Sequence, residues 1–283
     1  MDRFVVTMYA ESQLHAGKGM DIGIVDLPIQ RERTTGFPII QGIKGSLRAN
    51  FGTELGQFEA KIFGSEPGSE EKEATTPGIL AFSEAKILLF PVRSMDRLFV
   101  WVTSPLALVR FFNTLGDKNI VDMIQNENIS ENEALTIDID GRLWLEEIEL
   151  NARKESKGWL KEVTAKISQN INAVEYLKKK MLTDIVVVRD ELFSKILEIA
   201  TEVVPRISID REKKTVKKGA LWYEEYLPQD TVMYFIVRKT AYAKSEQEAF
   251  EKFREIIDGR IITIGGKETV GKGLVCLKVV NVQ

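Results

Sequence analysis

The sequence predicts an α+β fold of the ferredoxin-like (RRM-like) class, in which helices cover one face of an antiparallel sheet. Three observations predict it. Strand patterns alternate with amphipathic helix patterns, a β–loop–α–β unit stands near each end, and a basic hairpin interrupts the second half of the chain.

Residues 3–10, RFVVTMYA, form the first expected strand, followed by a long loop. Ile43, Leu47 and Phe51 recur at helical spacing, with Lys44 and Arg48 one turn apart on a neighbouring stripe. Residues 52–77 are acidic and rich in turn formers, and read as a mobile exposed loop. ILAFSEAKILLFPV and LFVWVTS predict two strands, and Ser104-Pro105 opens a helix that buries Leu108, Phe111, Phe112 and Leu115 before Gly116. Residues 117–182 read as an inserted segment, with one strand around LTIDIDGRLWLEEIEL and one helix over 160–182. IVVV predicts a strand, and Asp190 an N-cap for a helix carrying Leu192, Ile196, Leu197 and Ile199.

Residues 204–228 read as two strands whose turn carries Lys213, Lys214, Lys217 and Lys218. Such a hairpin projects, because its tip has almost nothing to bury. TVMYFIVRKTAYA is a further strand, and Ser245 to Glu248 a capping box for a helix burying Ala249, Phe250, Phe253, Ile256 and Ile257. RIITIGG and LVCLKVV complete a single 283-residue domain.

Composition excludes several function classes. At 44% hydrophobic and 29% charged residues the chain suits a soluble globular protein with a sizeable core. No apolar run reaches the ~20 residues that span a bilayer. MDRFVVTMYAES begins in a strand pattern without a signal peptide, so a cytoplasmic location and no membrane partner are expected. Cys276 is the single cysteine and His15 the single histidine, which excludes internal disulfides and multi-histidine zinc chemistry. A net charge of -3 requires any nucleic acid to be held by local basic tracks.

The stretch Leu14–Phe51 supplies such a track, with glycines at 17, 19, 23, 36 and 42 among Lys18, Arg31, Arg33, Lys44 and Arg48. Glycines let a main chain approach a ligand closely, and cations beside them suit a phosphate chain. Asp26 sits in the apolar frame IVDLPI, either as a turn residue before Leu27-Pro28 or as a reactive carboxylate. Near the C-terminus, Gly266 to Lys272 matches the nucleotide phosphate-loop pattern, but Gly273 stands where Ser or Thr must follow. A β-like segment follows instead of a helix, which excludes nucleotide hydrolysis. The same glycines and lysines can still contact a nucleic-acid backbone.

GGKETVGKG resembles the C-terminal glycine-rich loop of RAMP (repeat-associated mysterious protein) family members. GIVDLPIQRERTTGFPIIQGIKGSLR, LAFSEAKILLFPVRS, IVVVRDELF and ATEVVPRISIDREKKTVKKGALWYEEYLP resemble, more narrowly, the backbone subunit of the type III-B CRISPR (Cmr) effector. The resemblance implies a ferredoxin-like palm that holds a guide RNA, and a hairpin thumb reaching over the guide–target duplex. It implies stacking of further copies beside other Cmr subunits, and cleavage of complementary single-stranded target RNA at regular intervals. Asp26 would cut with a divalent metal (Mg or Mn), and guide contacts would fall on His15, Lys44, Ser46, Arg48 and Gly271, Lys272 and Gly273. The hairpin lysines and Lys18 would add phosphate contacts.

RNA cleavage can use the substrate's own 2′-hydroxyl as nucleophile. Asp26 can orient a metal or accept the proton. His15 can shuttle a proton or serve as an RNA-contacting or structural residue. Glu224 and Tyr226 fall on one strand face, as accessory groups or a mutually satisfied pair. Two rival readings stay open: a non-catalytic RNA-binding scaffold of the same complex, and a stand-alone guide-processing nuclease.

Overall fold

The computed structural model describes the chain except residues 1, 21, 22, 24, 66–75, 211, 244, 245 and 283, together with the side chain of Lys218. In chain order the elements are β1 (Arg3–Ala10), β2 (Ile39–Ile40), α1 (Ile43–Leu55), α2 (Glu59–Phe63), β3 (Leu80–Phe82), β4 (Ala85–Ser94), β5 (Leu98–Thr103) and α3 (Pro105–Leu115). There follow α4 (Lys118–Gln125), β6 (Glu133–Thr136), β7 (Gly141–Leu145), β8 (Ile148–Lys154), α5 (Trp159–Gln169), α6 (Glu175–Met181), β9 (Ile185–Val188) and α7 (Asp190–Ile199). The chain closes with β10 (Glu202–Ile209), β11 (Val216–Tyr226), β12 (Val232–Lys239), α8 (Gln247–Ile257), β13 (Ile261–Thr263) and β14 (Leu274–Val280).

One antiparallel run has the order β13–β14–β1–β12, with β3 and the start of β4 on the far edge of β12. β4 then continues into a second unit. Its later residues pair with β5, and the path β4–β5–β9–β6–β8–β7 returns to β4 through Ser94 and Leu145, closing a ring. β10 and β11 form a separate two-stranded hairpin.

β1 explains the layering. Its residues alternate faces, yet from Phe4 to Ala10 all are buried. Phe4, Val6 and Met8 join the core with Phe51 of α1 and Phe250 and Phe253 of α8. Val5 and Tyr9 join a second core with Phe111 of α3 and Trp159 of α5. Helices therefore cover both faces, not the single face expected, because a strand apolar on both sides must be buried on both.

Other departures have local causes. Residues 117–158 contain α4 and three ring strands instead of one: the chain turns at Glu146 and Glu147 so that β7 and β8 form a hairpin, while β6 pairs with β8 and with the more distant β9. The helix expected over 160–182 breaks into α5 and α6, where the Thr7 hydroxyl takes the carbonyl of Asn170 at 2.5 Å. ILAFSEAKILLFPV splits into β3 and β4, because Ser83 bonds Ile236 through backbone and hydroxyl. The expected loop over 52–77 is helical as far as Phe63, where Ile62 and Phe63 are buried; residues 66–75 lie outside the described residues. Asp190 does not cap α7: its Oδ1 accepts from Leu106 N at 2.9 Å, tying α7 to α3, and Phe193 is buried where Ile199 is exposed. The capping box falls partly on Ser245, outside the described residues.

α3 follows expectation, with Ser104 accepting from Ala107 N and Gly116 left-handed at the C-terminus. Phe111 meets Phe112 and Tyr234 edge-on at centroid distances of 5.2 and 5.0 Å. Phe111→Ala is expected to lower stability by about 3–5 kcal/mol, read as a fall in the urea midpoint.

Candidate nucleic-acid interface

The glycine-rich stretch is not a free loop. Leu14 pairs with Leu227 and Gly17 with Ile29, while Leu27 runs parallel to β11 beside Glu224. Leu27 N donates to Tyr223 O at 3.1 Å, and Glu225 N donates to Leu27 O at 3.0 Å. Asp26, half-buried, accepts from Tyr223 N at 2.7 Å through Oδ2. The aspartate singled out in the sequence is thus fastened to the root of the hairpin.

A groove of about 550 Å³ opens beside it, lined by His15, Gly17, Gly42, Ser46, Gly266 and Lys267 among others. The N-terminus of α1 opens onto this groove at Gly42, where no side chain caps the first turn. Backbone N–H groups there suit an anion. Gly265 closes the other wall at φ 88°; a Cβ there would meet His15 O at 2.6 Å, so only glycine admits this approach.

His15 is 6% exposed, with Nδ1 2.8 Å from Glu225 O and its ring 5.4 Å from Tyr226. Its Nε2 lies beneath Gly17, where a Cβ would come within 2.8 Å. The ring is thus braced between Glu225 and Tyr226 at the edge of the groove.

Glu224 and Tyr226 meet as the strand alternation predicts, Tyr226 donating its hydroxyl to Glu224. Lys267 Nζ lies 2.5 Å from Glu224, Trp222 Nε1 donates at 2.8 Å, and Arg206 Nε lies 3.2 Å away. Burial pushes the Glu224 carboxyl up, but the bonds from Lys267, Tyr226 and Trp222 outweigh it and hold the group down to about 2. Burial, with Glu224 beside it, pushes the Tyr226 phenol up against the pull of Arg206. Glu224 and Tyr226 are thus braced against one another at the hairpin root.

The cations separate into two groups. Lys44 is exposed on the first turn of α1, and Lys18 is exposed in the loop. Lys213, Lys214 and Lys217 are exposed at the hairpin tip. Arg48 and Lys272 are half-buried: Arg48 is held by Glu59 at 2.9 Å, and Lys272 bonds Gln13 and lies 5.3 Å from the Tyr226 ring centroid. Gly271 and Gly273 take left-handed conformations at φ 76° and 85°. Ser46 half-lines the groove.

Sequence reasoning missed Arg206 and Glu225, and it read Lys267 only as part of the glycine loop and not as the partner of Glu224. The signal for Glu225 was present, since alternation in β11 turns it away from Glu224. Arg206 opposes Trp222 only through the hairpin register.

Residues 7–276 match the RAMP superfamily model. The chain belongs to the RAMP superfamily. It is 38% identical to the CRISPR system Cmr endoribonuclease Cmr4 of Pyrococcus furiosus, over 97% of this chain and 95% of that protein. Its fold matches the crystal structure of oligomeric Cmr4 from the same organism at TM-score 0.76 and 33% identity, covering 100% of both chains. It also matches a chain in the cryo-EM structure of the type III-B Cmr-beta complex bound to cognate target RNA, at TM-score 0.77 and 25% identity, covering 99% of this chain and 97% of that one. Among the described residues, no helix of this RAMP protein is long and apolar enough to cross a membrane.

The depressed Glu224 carboxyl makes the hairpin root acid-sensitive. Its folded value, about 2, lies below its ordinary 4.5, so its contribution is full above 4.5 and is lost as pH falls towards 2. Tryptophan fluorescence is expected to report this loosening through Trp222, and Glu224→Gln to remove that phase of the titration. A Trp222→Phe control identifies the reporter.

Proposed function

We propose that this chain is the guide-RNA-binding backbone subunit of a type III-B effector, and that its Asp26 cuts complementary target RNA. The observation that carries this reading is the placement of Asp26 where the glycine-lined groove meets the hairpin root. The endoribonuclease name of the Pyrococcus furiosus relative and the target-RNA-bound similar structure support it. Further copies of the chain and other Cmr subunits are its partners, in keeping with the oligomeric Cmr4 structure. A cytoplasmic location follows from that role.

The run β14–β1–β12–β3, with α1 and α8 on one face, serves as a ferredoxin-like palm. Its second face is buried, so guide RNA lies on the loop groove, with phosphates near Lys44, Ser46 and the turn at Gly271 to Gly273. The hairpin is the thumb, its lysine tip reaching for the duplex backbone.

In the chemistry, the target's 2′-hydroxyl loses its proton and attacks the adjacent phosphorus in line, the P–O5′ bond breaks, and the 5′-oxygen leaves to take a proton from solvent, giving a 2′,3′-cyclic phosphate and a 5′-hydroxyl end. Asp26 Oδ2 is fixed by the Tyr223 N–H, leaving Oδ1, without a partner among the described residues, to orient or accept the hydroxyl proton. A hairpin that splays the target strand aligns the attack. Among the described residues no group of three or more His, Cys, Asp or Glu side chains is placed to hold a metal ion. A Mg or Mn ion, which needs few protein carboxylates, would be held here by Asp26. Such an ion, when bound, supplies charge stabilisation at the phosphate.

In complexes assembled with a defined guide, Asp26→Ala is expected to slow cleavage of end-labelled target at least about 100-fold. Target affinity should stay unchanged. Undiminished cleavage by the variant would place the chemistry on another subunit and leave this chain a scaffold.

A further inference from the structure

Glu225 is 6% exposed, and every polar atom it carries is engaged by the segments around Asp26. Its N–H donates to Leu27 O at 3.0 Å, and its carbonyl oxygen lies 2.8 Å from His15 Nδ1. Its Oε2 accepts from Ile29 N at 3.0 Å. Its Oε1 accepts from Arg31 Nη2 at 2.5 Å and from Thr201 Oγ1 at 2.8 Å. Arg31 in turn donates to Gly36 O and Leu197 O, each at 3.1 Å, which anchors its guanidinium to the end of α7.

The geometry has a simple logic. Around Leu27 the loop runs beside β11 and bonds it backbone to backbone. By Ile29 it has left the strand, and the Glu225 side chain reaches across to continue the pairing. One residue thus grips the loop before Asp26, at His15, and after it, at Leu27, Ile29 and Arg31. Adjacent Glu32 is held the other way, by Arg110 of α3 at 2.9 Å and by Thr35 at 2.6 Å. The Arg31-Glu32 step is therefore clamped on both sides by opposite charges.

We infer that Glu225 and Arg31 are positioning residues for cleavage: their half-buried ion pair sets where the Asp26 carboxylate stands relative to the hairpin that bends the target. This rests on the reading of Asp26 as the cleaving group. Neither residue touches substrate in this role. Because a misplacement of about 1 Å costs on the order of 100-fold in a positioned reaction, loosening the clamp should act on the cleavage step and leave binding alone. The proposed RNA contacts fall on the groove and the hairpin lysines; neither Glu225 nor Arg31 lines that groove, and Glu225 reaches it only through backbone bonds to His15 and Leu27, which a side-chain substitution does not remove.

The test uses the assembled complex with guide RNA and measures single-turnover cleavage and target Kd separately. Glu225→Ala and Arg31→Ala are each expected to slow cleavage by about 10–100-fold, with target Kd and subunit stoichiometry within about 2-fold. Glu225→Gln keeps one acceptor oxygen, enough for Ile29 N but not also for Arg31, and should recover part of the rate. The double variant should be no slower than the slower single, since the two act as one unit. Wild-type rates in fully assembled single variants overturn the inference, as does a rate loss matched by an equal loss of target affinity. If the alanine variants do not assemble, Glu225→Gln decides alone: slower cleavage at unchanged Kd supports the clamp, and a wild-type rate overturns it. Asp26→Ala run in parallel separates the two readings. Its activity at the wild-type rate removes the function itself, whereas an inactive Asp26→Ala beside fully active clamp variants removes only the clamp.

Discussion

Two adjacent buried carboxylates at the end of β11, Glu224 and Glu225, are the constraint on which the site depends. Neighbouring strand residues face opposite ways, so the pair faces two different environments. Glu224 turns towards the C-terminal glycine loop and finds Lys267, while Arg206 reaches it across the hairpin. Glu225 turns towards the Asp26 loop and finds Arg31. A buried charge stripped of its partner is strongly destabilising, by about 3–5 kcal/mol. Each carboxylate therefore obliges a separate segment to be in place, and together they bind both ends of the chain to the hairpin root.

The covered sheet has the complementary consequence. In an RNA-recognition-like domain the open sheet face is available to bases, but here Val5 and Tyr9 lie under α3 and α5. On the proposed reading, nucleic acid lies on loops at the end of the sheet, where glycines at 17, 42, 265 and 266 line the groove beside the start of α1. A backbone-lined groove contacts phosphate and sugar without reading bases, which suits a guide of any sequence. The net charge of -3 is compatible with this, since the cations at issue are local.

Much of this was legible in the sequence where periodicity is long and strong. β1, α1, α3, α8 and the β10–β11 hairpin all follow from spacing, and the alternation that pairs Glu224 with Tyr226 holds in three dimensions. The ring strands β6, β7 and β8 were not legible as separate elements, because one apolar pattern over residues 135–150 hides the tight turn between β7 and β8, and because β6 takes a distant partner in β9. The site was legible in its parts but not in its assembly. Asp26 meets Tyr223, 197 positions away, and His15 meets Gly265 from the opposite end of the chain. No local pattern encodes such a meeting. The lysines divided likewise: only the fold reveals that Lys272 is engaged internally while Lys44 and the hairpin tip face solvent.

The central claim is that the loop fastened to β11 presents position 26 to the target strand. A photoreactive side chain placed at position 26, in complexes carrying guide RNA and saturating non-cleavable target, tests it most directly. The account predicts crosslinks to the target strand at the nucleotides flanking each cut, recurring at the cleavage interval. Crosslinks confined to guide RNA or protein, with target bound, would contradict it.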